Sequence, residues 1–267
     1  MNMRLLLVCF VFALLCATTI FAAPYAAIVI NADTGEVLHE ENADTRLHPA
    51  GLTKLMTLYV AFDAIESGLV ELDETIKISK KAEVEPPVKL GLRYGQEIKL
   101  RYLLRAAAVK GANDASTAIA EGIDGSEAAF ARRMNGYSKE LGLTKSTWKN
   151  AHGLTEKGHL TTARDIANLF AAHQRDFPDY FNLFSRIRTN AGLRDVANSA
   201  RRLLTNLRGT EGAKYGYTRA AGFNTAAIVS HRNRRIVVVV FGARSTATLN
   251  KQVAMLANKG LTEFWAD

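Results

Sequence analysis

The sequence predicts an α+β fold with one antiparallel sheet built from both ends of the chain. Helices flank this sheet, and a mainly helical subdomain is inserted at roughly residues 68–205. Three observations predict it: strand-like runs at the start, helical periodicity through the middle, and strand-like runs again before a final helical segment. Strands separated by a block of helices favour this class, and a parallel α/β fold is the weaker alternative.

The first two elements form a predicted hairpin. Residues 25–31 read YAAIVIN, which is rich in β-formers, and residues 36–40 read EVLHE. The residues between them, ADTG at 32–35, favour a tight turn. Two antiparallel strands are therefore expected first.

A buried helix is predicted next. Residues 52–67 read LTKLMTLYVAFDAIES, with apolar side chains on most faces. Pro49 precedes this run and Gly68 follows it, as is typical of a helix start and a helix end. We expect a helix that packs on all sides and begins in the interior.

The remaining chain changes period twice. Residues 101–204 contain helical runs separated by glycines and polar turns. Residues 215–230 and 234–243 read as strands, the second as RRIVVVVFGA, and residues 248–265 read as a helix. Both ends of the chain therefore supply strands to the predicted sheet.

Residues 1–22 are predicted to be a secretory signal peptide. Arg4 precedes an apolar stretch that is short for a membrane span and ends in small residues. Cleavage near Ala22 leaves residues 23–267 as a single exported domain without a stable membrane anchor, at the cell wall in the periplasm or outside the cell; a retained anchor is the alternative. Cys9 and Cys16 both lie in the segment, so the mature chain has no disulfide and no thiol chemistry.

The charge balance is basic, with 34 Lys and Arg against 26 Asp and Glu and a formal net charge of +8. Such a chain attracts polyanions, including acidic cell-wall polymers and anionic lipid. Because an exported protein does not meet nucleic acid, no nucleic-acid partner is expected. The basic residues are scattered among acidic ones, which favours a solvated surface over one binding patch.

A helix start with a lysine is the first motif that carries chemistry. Residues 48–57 read HPAGLTKLMT, and Gly51 and Lys54 are three residues apart, which places them on one helix face. This segment resembles the serine D-alanyl-D-alanine carboxypeptidases, low-molecular-weight penicillin-binding proteins related to β-lactamases and transpeptidases. In that family a nucleophilic serine stands at the position of Gly51, and Lys54 matches the general base.

Two further segments carry the same resemblance. Residues 109–116, VKGANDAS, resemble the Ser-x-Asn box, with Asn113 matching and Gly111 at the serine position. Residues 211–224 resemble the Lys-Thr-Gly strand. There the resemblance assigns substrate binding to four residues, of which Tyr215 replaces the threonine: Lys214, Tyr215, Gly216 and Tyr217. The likeness covers essentially the whole mature chain and implies a β-lactamase-like fold.

Smaller departures from the family lie in two other segments. Ala200 stands where an asparagine is usual, and Thr248 and Leu249 stand where an arginine commonly binds the substrate's terminal carboxylate.

Thr53 is the nearest hydroxyl to Gly51, but it lies about 200° around the helix from it and is expected to face away. His152 is interpreted as a structural histidine.

The missing hydroxyls determine the expected function. Glycine has no side-chain oxygen, so no acyl-enzyme forms at residue 51, and losing a nucleophile typically costs on the order of 10⁶ in turnover. We expect a catalytically impaired or inactive relative of the carboxypeptidases of peptidoglycan metabolism. The alternatives are an active D,D-carboxypeptidase that trims the terminal D-Ala of stem peptides through an acyl-enzyme, and a non-catalytic cell-wall binding module.

Ligands follow from the same resemblance. Peptidoglycan stem peptides or β-lactams are expected to bind non-covalently at most, with backbone N–H groups of Gly51 and Tyr217 as possible donors to a carbonyl. No cofactor is expected. No His, Asp or Glu grouping has metal-ligand spacing in the sequence, so no metal is expected either.

Overall fold

A computed structural model describes residues 23–232 and 234–263, so the predicted signal segment at 1–22 lies outside the described residues. The strands of the described chain are, in order, β1 Ala26–Asn31, β2 Val37–Glu41, β3 Thr75–Lys77, β4 Glu97–Lys99, β5 Arg188–Asn190, β6 Asp195–Ala197, β7 Thr210–Thr218, β8 Gly222–His231 and β9 Arg234–Ala243. The helices are α1 Thr53–Glu66, α2 Lys80–Val84, α3 Leu100–Arg105, α4 Asn113–Asp124, α5 Glu127–Glu140, α6 Ala163–Asp176, α7 Pro178–Phe181, α8 Arg201–Asn206 and α9 Thr246–Glu263.

One five-stranded antiparallel sheet forms the centre, in the order β2-β1-β9-β8-β7. Strands from the two ends of the chain meet where β1 pairs with β9, with Val29 opposite Val238. The predicted α+β class, with a sheet built from both chain ends, is confirmed. Strand β7 is an edge strand of this sheet and faces the helical block.

Both faces of the sheet are covered, which explains the uninterrupted valine run in β9. Val237 and Val239 belong to the larger core, where α1 and α6 pack. Val238 and Val240 point to the opposite face, where they pack with residues of α9. A strand that is buried on both faces needs apolar residues at every position rather than at alternate ones.

Helix α1 lies in the middle of the larger core. Its residues from Thr53 to Phe62 are all buried, as expected for a helix that is apolar on most faces. A short 3₁₀ turn, Ala50–Leu52, leads into it. The predicted helix at 52–67 is therefore confirmed, and its first turn is tighter than an α-helix.

The block between α1 and β7 is mainly helical, as predicted for residues 68–205, and it also contains two small hairpins. Strands β3 and β4 pair with each other, and so do β5 and β6. These three-residue strands are too short to produce a recognisable alternation in sequence. Among the described residues, no helix is both long and apolar enough to cross a membrane.

The core position of α1 generates a stability prediction. Leu58 is fully buried in α1, whereas Leu69, just beyond the helix, is 52% exposed. Leu58→Ala is expected to lower the free energy of unfolding by about 2–5 kcal/mol because it leaves a cavity. Leu69→Ala, the matched control, is expected to change it by less than about 1 kcal/mol. Urea unfolding measures both, and equal effects would contradict the assigned packing.

Candidate active site

The helix start that carries Gly51 lies against edge strand β7. Ala50 has φ 49°, in the left-handed region, where a non-glycine residue costs of order 1–3 kcal/mol. The loop at Gly153 comes so close that a Cβ there would lie 1.8 Å from the carbonyl oxygen of Ala50. The strained turn is therefore enclosed on two sides, by strand β7 and by the Gly153 loop.

The contact between Gly51 and strand β7 is backbone against backbone. A Cβ added to Gly51 would lie 2.8 Å from the carbonyl oxygen of Tyr215 and 3.0 Å from Cα of Gly216. In the other direction, a Cβ on Gly216 would lie 2.5 Å from the backbone nitrogen of Gly51. Since real Cβ atoms do not approach other atoms this closely, any side chain at residue 51 requires the strand to shift.

Lys54 points from α1 into the site. Its side chain is buried, and its Nζ donates hydrogen bonds to Oδ1 of Asn113 at 2.7 Å and to the carbonyl oxygen of His152 at 2.6 Å. Burial lowers the pKa of Lys54 to about 7, although the carboxylates of Asp114 and Glu85 partly oppose this shift. The amine is therefore partly neutral near pH 7.

Asn113 begins helix α4 and is fixed in one orientation. Its Nδ2 donates to the carbonyl oxygen of Pro86, so Oδ1 is the atom that faces Lys54. The helix cap is Ala112, and the side chain of Asn113 does not cap the helix. Asp114 holds the neighbouring loop by accepting hydrogen bonds from the backbone N–H groups of residues 90–92.

Gly111 and Lys214 lie next to each other, with Lys214 deeper in the molecule. Gly111 has φ 80° at the end of a π-helical turn. A Cβ on Gly111 would lie 3.7 Å from Nζ of Lys214. That amine is fully buried and donates to the carbonyl oxygens of Ala107 and Ala108. Burial, and secondarily the nearby charge of Lys54, lower the pKa of Lys214 well below its ordinary value.

The side chain of Tyr215 does not take the place that the sequence suggested. The resemblance assigns Tyr215 to substrate binding, but successive side chains of a strand face opposite sides of the sheet. Lys214 and Gly216 face the helical block, whereas the Tyr215 ring packs with the core beneath α9 and its hydroxyl donates to Asn250. Tyr215 contributes its backbone to the contact with Gly51.

His152 lines the cavity, and its ring contacts two buried carboxylates. Its Nε2 lies 3.6 Å from Glu85 and 3.4 Å from Glu127. Burial, together with the charges of Lys54 and Lys81, lowers the pKa of His152 to about 3. Its Nδ1 accepts the backbone N–H of Leu154 at 3.1 Å, so the neutral ring carries its proton on Nε2.

The ligand atoms of Glu85, Glu127 and His152 lie within 4.8 Å of one another, so one metal ion could reach all three. The spacing of these residues in the sequence did not indicate such a group. The donor set does not suit a metal, however. A metal bound to Nε2 of His152 would require the ring proton to move to Nδ1. That proton would then face the backbone N–H of Leu154, which now donates to Nδ1. Glu127 already binds the backbone N–H of Ala151 and the amine of Lys81. The group is satisfied by protein partners.

A cavity of about 300 Å³ opens between the helix start, the loop at 87–88 and strand β7. Six of the predicted site residues line it together with Lys54, namely Gly51, Gly111, Asn113 and the three residues of segment 215–217. Lys214 is not among the lining residues. Its amine is instead hydrogen-bonded to the carbonyl oxygens of Ala107 and Ala108. The ionisable side chains of the lining are Lys54, Lys110 and His152, of which His152 is neutral. No carboxylate among the described residues contributes to the lining.

Comparison with known proteins assigns the family. The family profile described as D-alanyl-D-alanine carboxypeptidase matches residues 17–245. The chain belongs to this carboxypeptidase family. It is 32% identical over 248 residues to the D-alanyl-D-alanine carboxypeptidase DacF of Bacillus subtilis, covering 90% of this chain and 62% of that protein. The chain therefore spans less than two thirds of the length of this curated relative.

Solved structures agree on the fold. The D-alanyl-D-alanine carboxypeptidase DacD from Francisella tularensis superposes with a TM-score of 0.84 at 26% identity, over 88% of this chain and 70% of that chain. Penicillin-binding protein D2 from Listeria monocytogenes, in its ampicillin-bound form, superposes with a TM-score of 0.81 at 26% identity, over 88% of this chain and 96% of that chain. The predicted penicillin-binding-protein-like architecture is confirmed.

Within this carboxypeptidase-family chain, several site residues escaped the sequence reasoning. Lys110 directly precedes Gly111 in the second motif, and only its place in the cavity distinguishes it from other basic residues. Glu85 and Glu127 are 42 residues apart in sequence, so no local signal joins them. Thr53 does face away, as predicted, because its Oγ1 bonds to Nε2 of His159 at 2.8 Å.

Two of the smaller sequence departures lie in buried positions. Ala200 is fully buried in the core beneath α9, and Leu249 is buried in the first turns of that helix. Thr248 is exposed, and its backbone N–H bonds to Oγ of Ser245. A different residue, Thr246, is the one from this helix that borders the cavity.

The tight backbone contact makes a prediction for this carboxypeptidase-family chain. Gly51→Ala is expected to lower the free energy of unfolding by about 1–3 kcal/mol, because the new Cβ overpacks against strand β7. Gly136→Ala in helix α5 is the matched control, since no atom lies within 4 Å of its Cβ position. That control is expected to stabilise by about 0.5–1 kcal/mol. Urea unfolding compares the two, and equal stabilisation would show that the contact is looser than described.

Proposed function

We propose that this chain is a catalytically inactive or impaired member of the D-alanyl-D-alanine carboxypeptidase family that acts by binding. It would be exported and would bind peptidoglycan stem peptides or β-lactams without forming a covalent bond. The observation that carries this proposal is residue 51, which has no side-chain oxygen and no room for one beside strand β7.

None of the described hydroxyl groups is hydrogen-bonded to the Lys54 amine, as a nucleophile activated by it would be. A nucleophile must lie within hydrogen-bond reach of its base. Both hydrogen bonds of the Lys54 amine go to other groups, an amide oxygen and a backbone carbonyl oxygen. Thr53 is bonded to His159. A base without a nucleophile supports binding and does not support acyl transfer.

The remaining cavity favours a ligand that is apolar on one side and anionic on the other. Tyr217 is 57% exposed and stacks on Phe223 with ring centroids 4.4 Å apart, which gives one wall an aromatic surface. Lys110 supplies positive charge without a competing carboxylate, and Lys54 adds to it when its amine is protonated. A stem peptide with a terminal carboxylate fits this chemistry. The ampicillin-bound relative supports β-lactams as a second ligand class.

Two alternatives remain open to test. The first is an active serine-type D,D-carboxypeptidase, which would have to use a nucleophile other than residue 51. The second is a cell-wall binding module that acts through its basic surface rather than through the cavity. Pull-down on purified peptidoglycan at low and high salt separates them from cavity binding, since surface electrostatic binding is lost when salt screens the charges.

Covalent labelling tests the inactive state. Incubation with a fluorescent penicillin is expected to leave the chain unlabelled on a denaturing gel, because no acyl-enzyme forms at Gly51. Gly51→Ser alone is also expected to remain unlabelled, since strand β7 stands where the serine must lie. A labelled native chain would overturn the proposal. A catalytically active family member run in parallel shows that the reagent works.

Cavity binding has its own test, with charge-matched variants. Lys110→Glu is expected to weaken a stem peptide with a free C-terminal carboxylate about tenfold or more, because it replaces an attractive charge with a repulsive one. Lys77→Glu makes the same change in net charge on the exposed strand β3 and is expected to have little effect. Isothermal titration calorimetry measures both. Equal losses would assign binding to the general surface charge.

A further inference from the structure

The Lys54 amine is held in a geometry that suits its neutral form. A neutral amine has two hydrogens and one lone pair, and two acceptors are present, Oδ1 of Asn113 and the carbonyl oxygen of His152. Among the described residues no carboxylate lies within 4 Å of its Nζ. The lone pair is therefore the one direction that no hydrogen bond occupies, on a residue that lines the cavity.

The groups around Lys54 act on the pKa of its amine in opposite directions. The carboxylates of Asp114 and Glu85 favour the ammonium form, whereas burial disfavours it more strongly. The deeper amine of Lys214 also faces Lys54. His152 is neutral and contributes its carbonyl oxygen. Burial is the largest of these effects, and it leaves a nucleophilic amine at neutral pH.

The second buried amine provides a contrast within the same molecule. Lys214 is also fully buried and is also bonded to two carbonyl oxygens. It lies behind Gly111, outside the lining of the cavity. The two lysines therefore share their burial and differ in access, so only Lys54 is placed to meet a ligand.

From this geometry we propose that Lys54 captures small aldehydes or ketones from the cavity as an imine. The Lys54 nitrogen attacks the carbonyl carbon, and the π electrons move to the oxygen, which takes up a proton to give a carbinolamine. That hydroxyl then leaves as water together with the remaining nitrogen proton, and a C=N bond forms. No oxidant or reductant is consumed, and hydrolysis reverses the reaction. A desolvated lysine is the residue type that performs this chemistry.

The cavity also selects for charge. Its lining holds Lys110 in addition to Lys54 and no carboxylate from the described residues, and Lys110 forms no ion pair with any of them. A carbonyl compound that carries a carboxylate is therefore expected to be captured faster than a neutral one of similar size.

Reductive trapping of the intact chain tests the proposal. The chain is incubated at pH 7 with glyoxylate, or with the neutral glycolaldehyde, in the presence of sodium cyanoborohydride, and modified lysines are mapped by peptide mass spectrometry. Lys54 is expected to be modified at least about tenfold faster than the exposed Lys77, because burial lowers the pKa of Lys54 to about 7 and leaves part of its amine neutral at this pH. Lys214 is expected to remain unmodified.

The pH profile gives a second readout. Modification of Lys54 is expected to fall as pH drops below about 7, where its amine takes up a proton, and to level off above that pH. Modification of Lys54 that is no faster than that of Lys77, or that does not fall as the pH drops below about 7, would overturn the proposal.

Variants refine the result. Lys110→Met is expected to slow trapping of glyoxylate several-fold more than trapping of glycolaldehyde; equal slowing of both would refute charge selection. Lys54→Met removes the fast addition seen by intact mass, with circular dichroism to check its fold. If that variant does not fold, site mapping in the native chain still decides. Imine capture is independent of non-covalent peptide binding, so calorimetry with the stem peptide distinguishes failure of one from failure of the other.

Discussion

The site depends on one backbone contact, between the helix start at Gly51 and strand β7 at Gly216. Two glycines face each other at a distance that no side chain tolerates. This contact fixes the edge of the central sheet against the first turn of α1, and the cavity opens beside it. Because of this contact, a side chain at residue 51 would require strand β7 to shift.

The second constraint is the burial of two lysine amines, whose hydrogen-bond partners are all uncharged. Lys54 and Lys214 donate to amide and carbonyl oxygens rather than to carboxylates. Burying an ammonium group without a counter-ion is costly, so both groups are driven towards the neutral form. Lys54, which matches the general base of the family, is thus a buried basic amine that lines the cavity.

The surrounding framework is organised to hold these groups in position. Asn113 is oriented by Pro86, and Asp114 ties the loop at 90–92 to the start of α4. His152 presents its carbonyl oxygen to Lys54 while its ring rests on two carboxylates. These contacts join five separate parts of the chain, which is typical of a pre-organised pocket.

The sequence by itself determined the fold class, the order of the elements and the family, because strand and helix periodicity and the lettering of three motifs are local properties. It also indicated that residue 51 lacks a nucleophile. Only the tertiary structure decided which side chains reach the cavity. Lys214 proved to be buried behind Gly111, and Tyr215 faces α9, because strand alternation is set by pairing and packing. Lys110 borders the cavity, and Glu85, Glu127 and His152 meet through folding of distant segments, for which no local pattern exists.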